Sequence, residues 1–215
     1  MPITKRKLAL LVTSGLIGGL VWVSLHTLAA SKAEYRLGET GICIPDEYAV
    51  LLPGARNSEK DDFDSSEGYG VNASIDSEEV SSNVEGYQET FNIGGDSRNQ
   101  DLYMSLYPAS ENALTVDNPK PERRIKGTKD IFLSGYTPEP LLLMDALKKD
   151  GRQYEKWGYC MHISWNNSPT KLRCKRTSLN VDSIRVKYEI VEPNLHLHDE
   201  IDKFIRNKVR GWQCQ

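Results

Sequence analysis

The chain has 215 residues, of which 27 are basic and 30 are acidic, and its mean hydropathy of −0.52 is that of a polar protein. Three of the basic residues stand ahead of a long apolar stretch near the N-terminus, which leaves 24 basic against 30 acidic residues, a net charge of about −6, for the rest. This balance excludes nucleic acid as the expected partner, because nucleic-acid binding needs a basic footprint.

Residues 8–30 form an apolar stretch without a charged side chain, directly after the basic stub 1–7 that contains Lys5, Arg6 and Lys7. About 20 apolar residues are enough for a helix to cross a bilayer, and basic residues stay on the cytoplasmic side. The stretch is therefore predicted to be either a retained membrane anchor or a cleaved signal peptide. In both cases the remainder of the chain is expected outside the cytoplasm.

A short polar spacer is expected over residues 31–40, followed by one exported domain over residues 41–215. All four cysteines lie in this domain, and an even number in an oxidising compartment indicates two disulfides. Residues 159–176 have the pattern of a hairpin, in which Cys160 faces Cys174 across the strands. The remaining pair, Cys43 and Cys214, then joins the start of the domain to its end. No CxxC motif is present, so no metal is expected at the cysteines.

The chain is strongly acidic from residue 57 to residue 89, where we predict loops over 57–67 and 77–86 and a strand over 68–76 between them. The acidic loop is either a solvated surface or a docking surface for a basic cleft. Calcium is not expected, because the acids lack the spacing of an EF-hand. The expected partner contacts are acidic and tyrosine side chains taken to be exposed: Glu59, Asp61, Asp62, Asp64, Glu67, Tyr69, Tyr87, Tyr103 and Tyr107.

Further strands are predicted at residues 87–93 and 102–107, with a turn at residues 94–97 between them, and at residues 130–136 after a basic linker. Residues 138–150 fit either a helix capped by Thr137 or the first strand of a hairpin that turns at Asp150 and Gly151. We favour the hairpin. The clearest half-buried strand covers residues 184–190, where apolar and charged residues alternate.

The chain closes with a predicted amphipathic helix over residues 195–210. Its apolar residues recur at helical spacing and form one stripe, namely Leu197, Ile201, Phe204, Ile205, Val209 and Trp212. Gly211 is expected at the position just after the helix. The predicted fold class is α+β, a mainly antiparallel sheet with a C-terminal helix, preceded by one transmembrane or signal segment.

Little in the sequence points to catalysis, and no cofactor is expected. His162 lies within a predicted strand and would need a nucleophile and an orienting acid, but no serine has a nucleophile-elbow motif around it. His196 and His198 have the spacing of a metal-chelating pair, yet the expected helix boundary places them on different faces. We expect these two to be capping and surface histidines.

The overall layout resembles that of periplasmic immunity proteins of type VI secretion systems. The likeness rests on the basic start, the apolar segment, the cysteine–proline opening at residues 43–45 and the closing sequence GWQC at residues 211–214. It is similar in particular to those that guard against phospholipase effectors. The resemblance implies a non-enzymatic protein of the periplasm, anchored in the inner membrane or released after signal cleavage. Such a protein binds a toxin stoichiometrically and blocks its active-site cleft.

The acidic loop suits such a partner, because a cleft that attracts phosphate groups tends to be cationic. Two other classes of function stay open. One is a structural or assembly subunit of a secretion machine, with partners in the membrane. The other is an anchored hydrolase, which would need a deep pocket holding His162, or the pair of His196 and His198, together with an acid.

Overall fold

A computed structural model describes residues 32–50, 70–109, 119–135, 143–164 and 171–214. The predicted membrane or signal segment 8–30 and the acidic loop 57–67 lie outside these residues. Among the described residues, no helix combines the length and the apolar character needed to cross a bilayer.

The described part contains twelve strands and two α-helices. The first half has strands β1 Lys32–Leu37, β2 Thr40–Pro45, β3 Val71–Ile75, β4 Thr90–Ile93, β5 Asp96–Asn99 and β6 Leu102–Pro108, with helix α1 Ser77–Asn83 after β3. The second half has β7 Arg123–Arg124, β8 Ile131–Ser134, β9 Leu143–Asp150, β10 Gln153–Ile163, β11 Lys171–Val181 and β12 Ile184–Val191. A 3₁₀ helix, Glu192–Leu197, leads into helix α2, His198–Gly211.

Eight of the strands form one antiparallel sheet in the order β3-β6-β12-β11-β10-β9-β8-β7. The six strands from β7 to β12 follow one another as a meander, and β6 and β3 extend the sheet beyond β12. The mainly antiparallel sheet and the C-terminal helix predicted from the sequence are confirmed.

Alternation along the strands separates a buried face from a polar one. In β12 the side chains of Ile184, Val186, Tyr188 and Ile190 are fully or almost fully buried, whereas the residues between them are half-buried. Helix α2 packs its apolar stripe against the buried face, as predicted, with Ile201, Phe204, Ile205 and Val209 in the core.

The start of this last helix differs from the prediction. Residues 192–197 form a 3₁₀ helix, and the α-helix begins only at His198, because Pro193 occupies the first turn and Asn194 is buried and bonded to another loop. Gly211 belongs to the helix and has no positive φ, so its predicted role just after the helix is wrong.

Residues 143–163 form the predicted hairpin and not a helix. Strand β9 pairs with β10 across a turn at Gly151, whose φ of 57° suits glycine. The next hairpin, β10 with β11, aligns Cys160 with Cys174 as predicted.

Three predictions for the first half are wrong. Part of the expected spacer 31–40 is strand β1, which pairs with β2. The expected loop 77–86 begins with helix α1, because Val80 and Val84 are buried on one face and the backbone N–H of Ser77 donates to Asp101 Oδ1 at 3.0 Å.

The third error concerns the expected strand 87–93. Only Thr90–Ile93 is a strand, and it pairs with β5 in a separate two-stranded sheet that turns at two glycines of positive φ, Gly94 and Gly95. Strand β6 lies instead between β3 and β12 in the main sheet.

Candidate functional site

One face of the eight-stranded sheet has no described helix packed on it. We call it the outer face, and strand register identifies its central residues. Tyr107 lies opposite Arg185, Ser105 opposite Lys187, Lys175 opposite both Glu189 and Tyr159, and Met161 opposite Arg173. Directly opposed residues of antiparallel strands project to the same side of a sheet. Their neighbours along each strand, such as Met104, Cys174 and Tyr188, point into the core.

Tyr103 is the prominent side chain of the outer face, with 57% of its surface exposed. Among the described residues it is the one large hydrophobic side chain that is exposed. It borders a shallow pocket of about 280 Å³. Its lining also includes Val50 and polar side chains of the neighbouring strands, namely Asn72, Ser105, Lys175, Lys187 and Glu189.

Basic side chains dominate the middle of the outer face. Arg173 pairs with Glu189 at 4.0 Å, and the Nζ of Lys187 lies 4.6 Å from the ring centroid of Tyr107. The guanidinium of Arg185 stands 5.7 Å from the same ring. An exposed aromatic ring with charged neighbours is typical of protein-binding surfaces.

The predicted contact residues have different outcomes. Tyr103 and Tyr107 lie on the outer face. Tyr87 is 8% exposed and donates its hydroxyl to the carbonyl of Gln100, so its expected exposure is wrong. Burial also raises its pKa strongly. The other six fall outside the described residues: Glu59, Asp61, Asp62, Asp64, Glu67 and Tyr69.

The described residues on either side of residues 51–69 both lie beside the outer face. The N–H of Val50 donates to the carbonyl of Asn72 in β3 at 3.2 Å. Gly70 lies so close to Tyr107 that an added Cβ would approach the ring to 2.5 Å.

A second polar group, the helix-end cluster, consists of Asp130, Lys148, His198 and Asp199 at the start of α2. The Nε2 of His198 is 2.9 Å from Asp130 Oδ1. Lys148 Nζ lies 2.6 Å from Asp199 Oδ1 and 3.5 Å from Asp130 Oδ2. Burial lowers the pKa of His198 and outweighs the opposite effect of the nearby carboxylates.

Three of these residues have ligand atoms close enough to surround a cation, namely Asp130, His198 and Asp199. Lys148 already supplies a cation between the two carboxylates. Burial opposes its charge, but the hydrogen bond to Asp199 and the charges of Asp199 and Asp130 prevail and raise the pKa of Lys148. The cluster is thus an ion network in which Lys148 offsets part of the carboxylate charge, and it ties α2 to strand β9 and to Asp130 just before β8.

The same helix is tied to the sheet by a second polar contact. The hydroxyl of Tyr188 donates to Asp202, and Arg176 Nη2 lies 3.5 Å from the other carboxylate oxygen. Arg176 also donates to the carbonyl of Trp157 at 3.0 Å. The Tyr188 hydroxyl, the Asp202 carboxylate and the terminal nitrogens of Arg176 thus have polar partners, whereas Arg176 Nε is buried without one among the described residues.

The predicted histidines are placed apart. His162 is exposed, and its hydrogen-bond partner among the described residues is the guanidinium of Arg123 at 3.4 Å, not a carboxylate. His196 is exposed and His198 is buried, so they lie on different faces as predicted. The expectation that His198 is a surface residue is wrong, because its ring packs 6.1 Å from Trp157.

Both predicted disulfides are present, Cys43–Cys214 and Cys160–Cys174. The first is flanked by backbone bonds from Cys43 N–H to the carbonyl of Trp212 and from Cys214 N–H to the carbonyl of Gly41. Two disulfides fit an oxidising compartment outside the cytoplasm, such as the periplasm.

Sequence reasoning did not single out Lys175 and Lys187. A signal for Lys175 existed, since pairing Cys160 with Cys174 also sets Tyr159 opposite Lys175 on the other side of the sheet. The pairing of β6 with β12 brings Tyr103 to the same surface, but no local sequence pattern indicates that these two strands are neighbours.

Comparisons of the chain with models of protein families, with curated proteins and with solved structures gave no match. The functional conclusion therefore depends on the residues and their geometry.

Proposed function

We propose that this protein is a periplasmic immunity protein, which binds a secreted antibacterial toxin through the outer face and blocks its active site without performing a reaction itself. The observation that carries the proposal is the outer face, on which no described helix packs and where Tyr103 is exposed among charged residues. Central aromatic side chains supply much of the binding energy of protein interfaces.

Two further observations support a binding role. The disulfides stabilise the domain in an oxidising compartment, where a secreted toxin would meet it. The surroundings of two described histidines do not favour catalysis, because His162 adjoins Arg123, and His198 adjoins Asp130, whose carboxylate already pairs with Lys148.

The proposed toxin is a lipase or phospholipase. Its cationic cleft would be contacted by the acidic loop 57–67, because Val50 and Gly70, the described residues nearest to that loop in the sequence, lie beside the outer face. The charge of the loop would chiefly raise the association rate, whereas the outer face would set the lifetime of the complex.

The proposal is tested by placing a photo-crosslinking amino acid at position 103 of the full-length chain, in the cells that naturally carry it. The matched control carries the same group at Lys203, which is exposed on α2. We expect the position 103 variant to capture a secreted enzyme, whose activity falls to zero at a 1:1 ratio with the purified chain.

Capture of membrane components of a secretion machine would contradict the proposal and would favour an assembly subunit. So would a captured enzyme whose activity the chain leaves unchanged. Turnover of lipid or ester substrates by the purified chain alone would also contradict it.

A further inference from the structure

We infer that the Cys43–Cys214 disulfide is a site of thiol–disulfide exchange in the folded protein, where a dithiol reduces it while the Cys160–Cys174 disulfide stays intact. The exchange opens the covalent tie between β2 and the segment that follows α2. The redox state of the compartment then sets the stability of the domain. This inference goes beyond the proposed function, since it concerns the chain without its partner.

The two disulfides differ in how far they are covered. Cys160 and Cys174 are fully buried in the hydrophobic core, on the facing strands β10 and β11. Cys43 and Cys214, in contrast, are both half-buried. Thiol–disulfide exchange requires that the attacking thiolate reaches a sulfur atom, so exposed disulfides are the more labile ones. A reductant can therefore reach the Cys43–Cys214 bond in the folded domain, whereas the Cys160–Cys174 bond must first be uncovered by unfolding.

Gly41 adds to the accessibility of the sulfur of Cys214. It lies beside this sulfur in β2, where an added Cβ would stand 3.3 Å from Cys214 Sγ. The φ of Gly41 is not positive, so the backbone conformation does not require glycine at this position. What the glycine provides is the absence of a side chain against the sulfur.

The segment after α2 has other contacts that hold it in place when the disulfide is open. The N–H of Cys43 donates to the carbonyl of Trp212, and the N–H of Cys214 donates to the carbonyl of Gly41 at 3.1 Å. Trp212 is almost fully buried, and its ring centroid lies 5.4 Å from that of Tyr48. The sheet therefore stays folded after reduction, and the two thiols stay close enough to be oxidised again.

The reaction is a two-electron exchange. A thiolate of the dithiol attacks Cys214 Sγ, the S–S bond breaks, and Cys43 leaves as a thiolate that takes up a proton. The second thiol of the reductant then loses its proton and attacks the mixed disulfide at its own first sulfur. Cys214 leaves as a thiolate and is protonated in turn. The protein gains two electrons and two protons, and the dithiol ends as its own disulfide.

The test treats the oxidised full-length chain, in mild detergent, with dithiothreitol at mildly alkaline pH. Samples are quenched with iodoacetamide at intervals, and mass spectrometry of peptides measures the alkylation of each cysteine. We expect Cys43 and Cys214 to be alkylated at least tenfold faster than Cys160 and Cys174, while the far-ultraviolet circular dichroism stays that of the folded chain. The buried disulfide is thus the internal control.

Urea at concentrations below the unfolding transition separates direct attack from unfolding. It should leave the rate at Cys43 and Cys214 within twofold of its value without urea, and it should raise the rate at Cys160 and Cys174. Oxidation of the partly reduced chain with glutathione disulfide should restore the unfolding midpoint of the untreated chain.

Equal rates for the two disulfides would overturn the inference, as would faster reaction of the buried one. A rate at Cys43 and Cys214 that rises steeply with urea would do the same, because exchange would then need unfolding. Loss of circular dichroism in step with the first alkylation would show that the other contacts do not hold the segment, and it would also overturn the inference. None of these results concerns binding at the outer face, so failure here leaves the proposed function standing.

Discussion

His198 shows how a single buried side chain gives the domain a pH-dependent stability. Its ring is 4% exposed and in contact with Asp130, and burial lowers its pKa below the ordinary value of 6.5. The unfolded chain therefore takes up a proton at a higher pH than the folded chain does. The contribution of His198 to stability is complete above pH 6.5 and is lost as the pH falls through the lowered pKa.

We predict that replacing His198 with glutamine makes the free energy of unfolding depend less on pH below 6.5. Glutamine retains an N–H that can donate to Asp130 but does not titrate. The measurement is urea unfolding at several pH values. His196→Gln is the matched control, since His196 is exposed, and it should keep the original slope. An unchanged slope in the His198 variant would show that other groups cause the pH dependence.

Individual elements differ in how far the sequence predicted them. Strand β12 and the stripe of α2 were predicted because their apolar residues repeat at the period of a strand or a helix. The Cys160–Cys174 pair was predicted because a hairpin is local. Strand β5 was not predicted, because all four of its residues are exposed and polar and the sequence therefore shows no alternation of apolar and polar residues.

The candidate site was predictable only in part, for a related reason. The outer face joins Tyr103 on β6 to Lys175 on β11 through β12, although these strands are far apart in the chain. Local periodicity gives each strand its two faces, but it does not say which strands become neighbours. The local sequence does not indicate the burial of Tyr87, because it depends on contacts with other segments. The Tyr87 hydroxyl bonds to Gln100, and the N–H of the next residue, Gln88, bonds to the distant Asn194.

The pairing of β10 with β11 depends on Gly158. An added Cβ at this position would meet the backbone carbonyl oxygen of Lys175 at 1.9 Å, at the irregularity in β10 that follows Lys156. We predict that Gly158→Ala destabilises the domain by about 3 kcal/mol, because the two strands must separate. Chemical denaturation measures the change.

Gly211→Ala is the control for this prediction. Gly211 lies in α2 with open space around the position of a Cβ, and alanine favours a helix. We expect its stability to be unchanged or slightly higher. A Gly158→Ala variant as stable as Gly211→Ala would show that the strands do not approach so closely.

At the scale of the whole molecule, the Cys43–Cys214 disulfide closes a loop of 171 residues and joins β2 to the tail after α2. The Cys160–Cys174 disulfide spans only 14 residues. In the chain-entropy model the longer loop contributes about 5 kcal/mol and the shorter about 3 kcal/mol. The Cys43–Cys214 disulfide should therefore contribute more to the stability of the whole domain.

We predict that replacing Cys43 and Cys214 with alanine lowers the unfolding free energy more than replacing Cys160 and Cys174, by about 2 kcal/mol. Guanidinium unfolding of both double variants gives the comparison. Equal losses would mean that residual structure in the unfolded chain already restricts the longer loop.

The central claim is that the protein works as a binding module through the outer face. Lysine labelling tests it directly, by comparing acylation of the full-length chain in the cells that naturally carry it with acylation of the purified chain. The account predicts that Lys175 is labelled at least fivefold more slowly in the cells, while Lys203 on α2 is labelled at the same rate. Equal labelling of Lys175 in both settings, with protection at Lys203 instead, would contradict it.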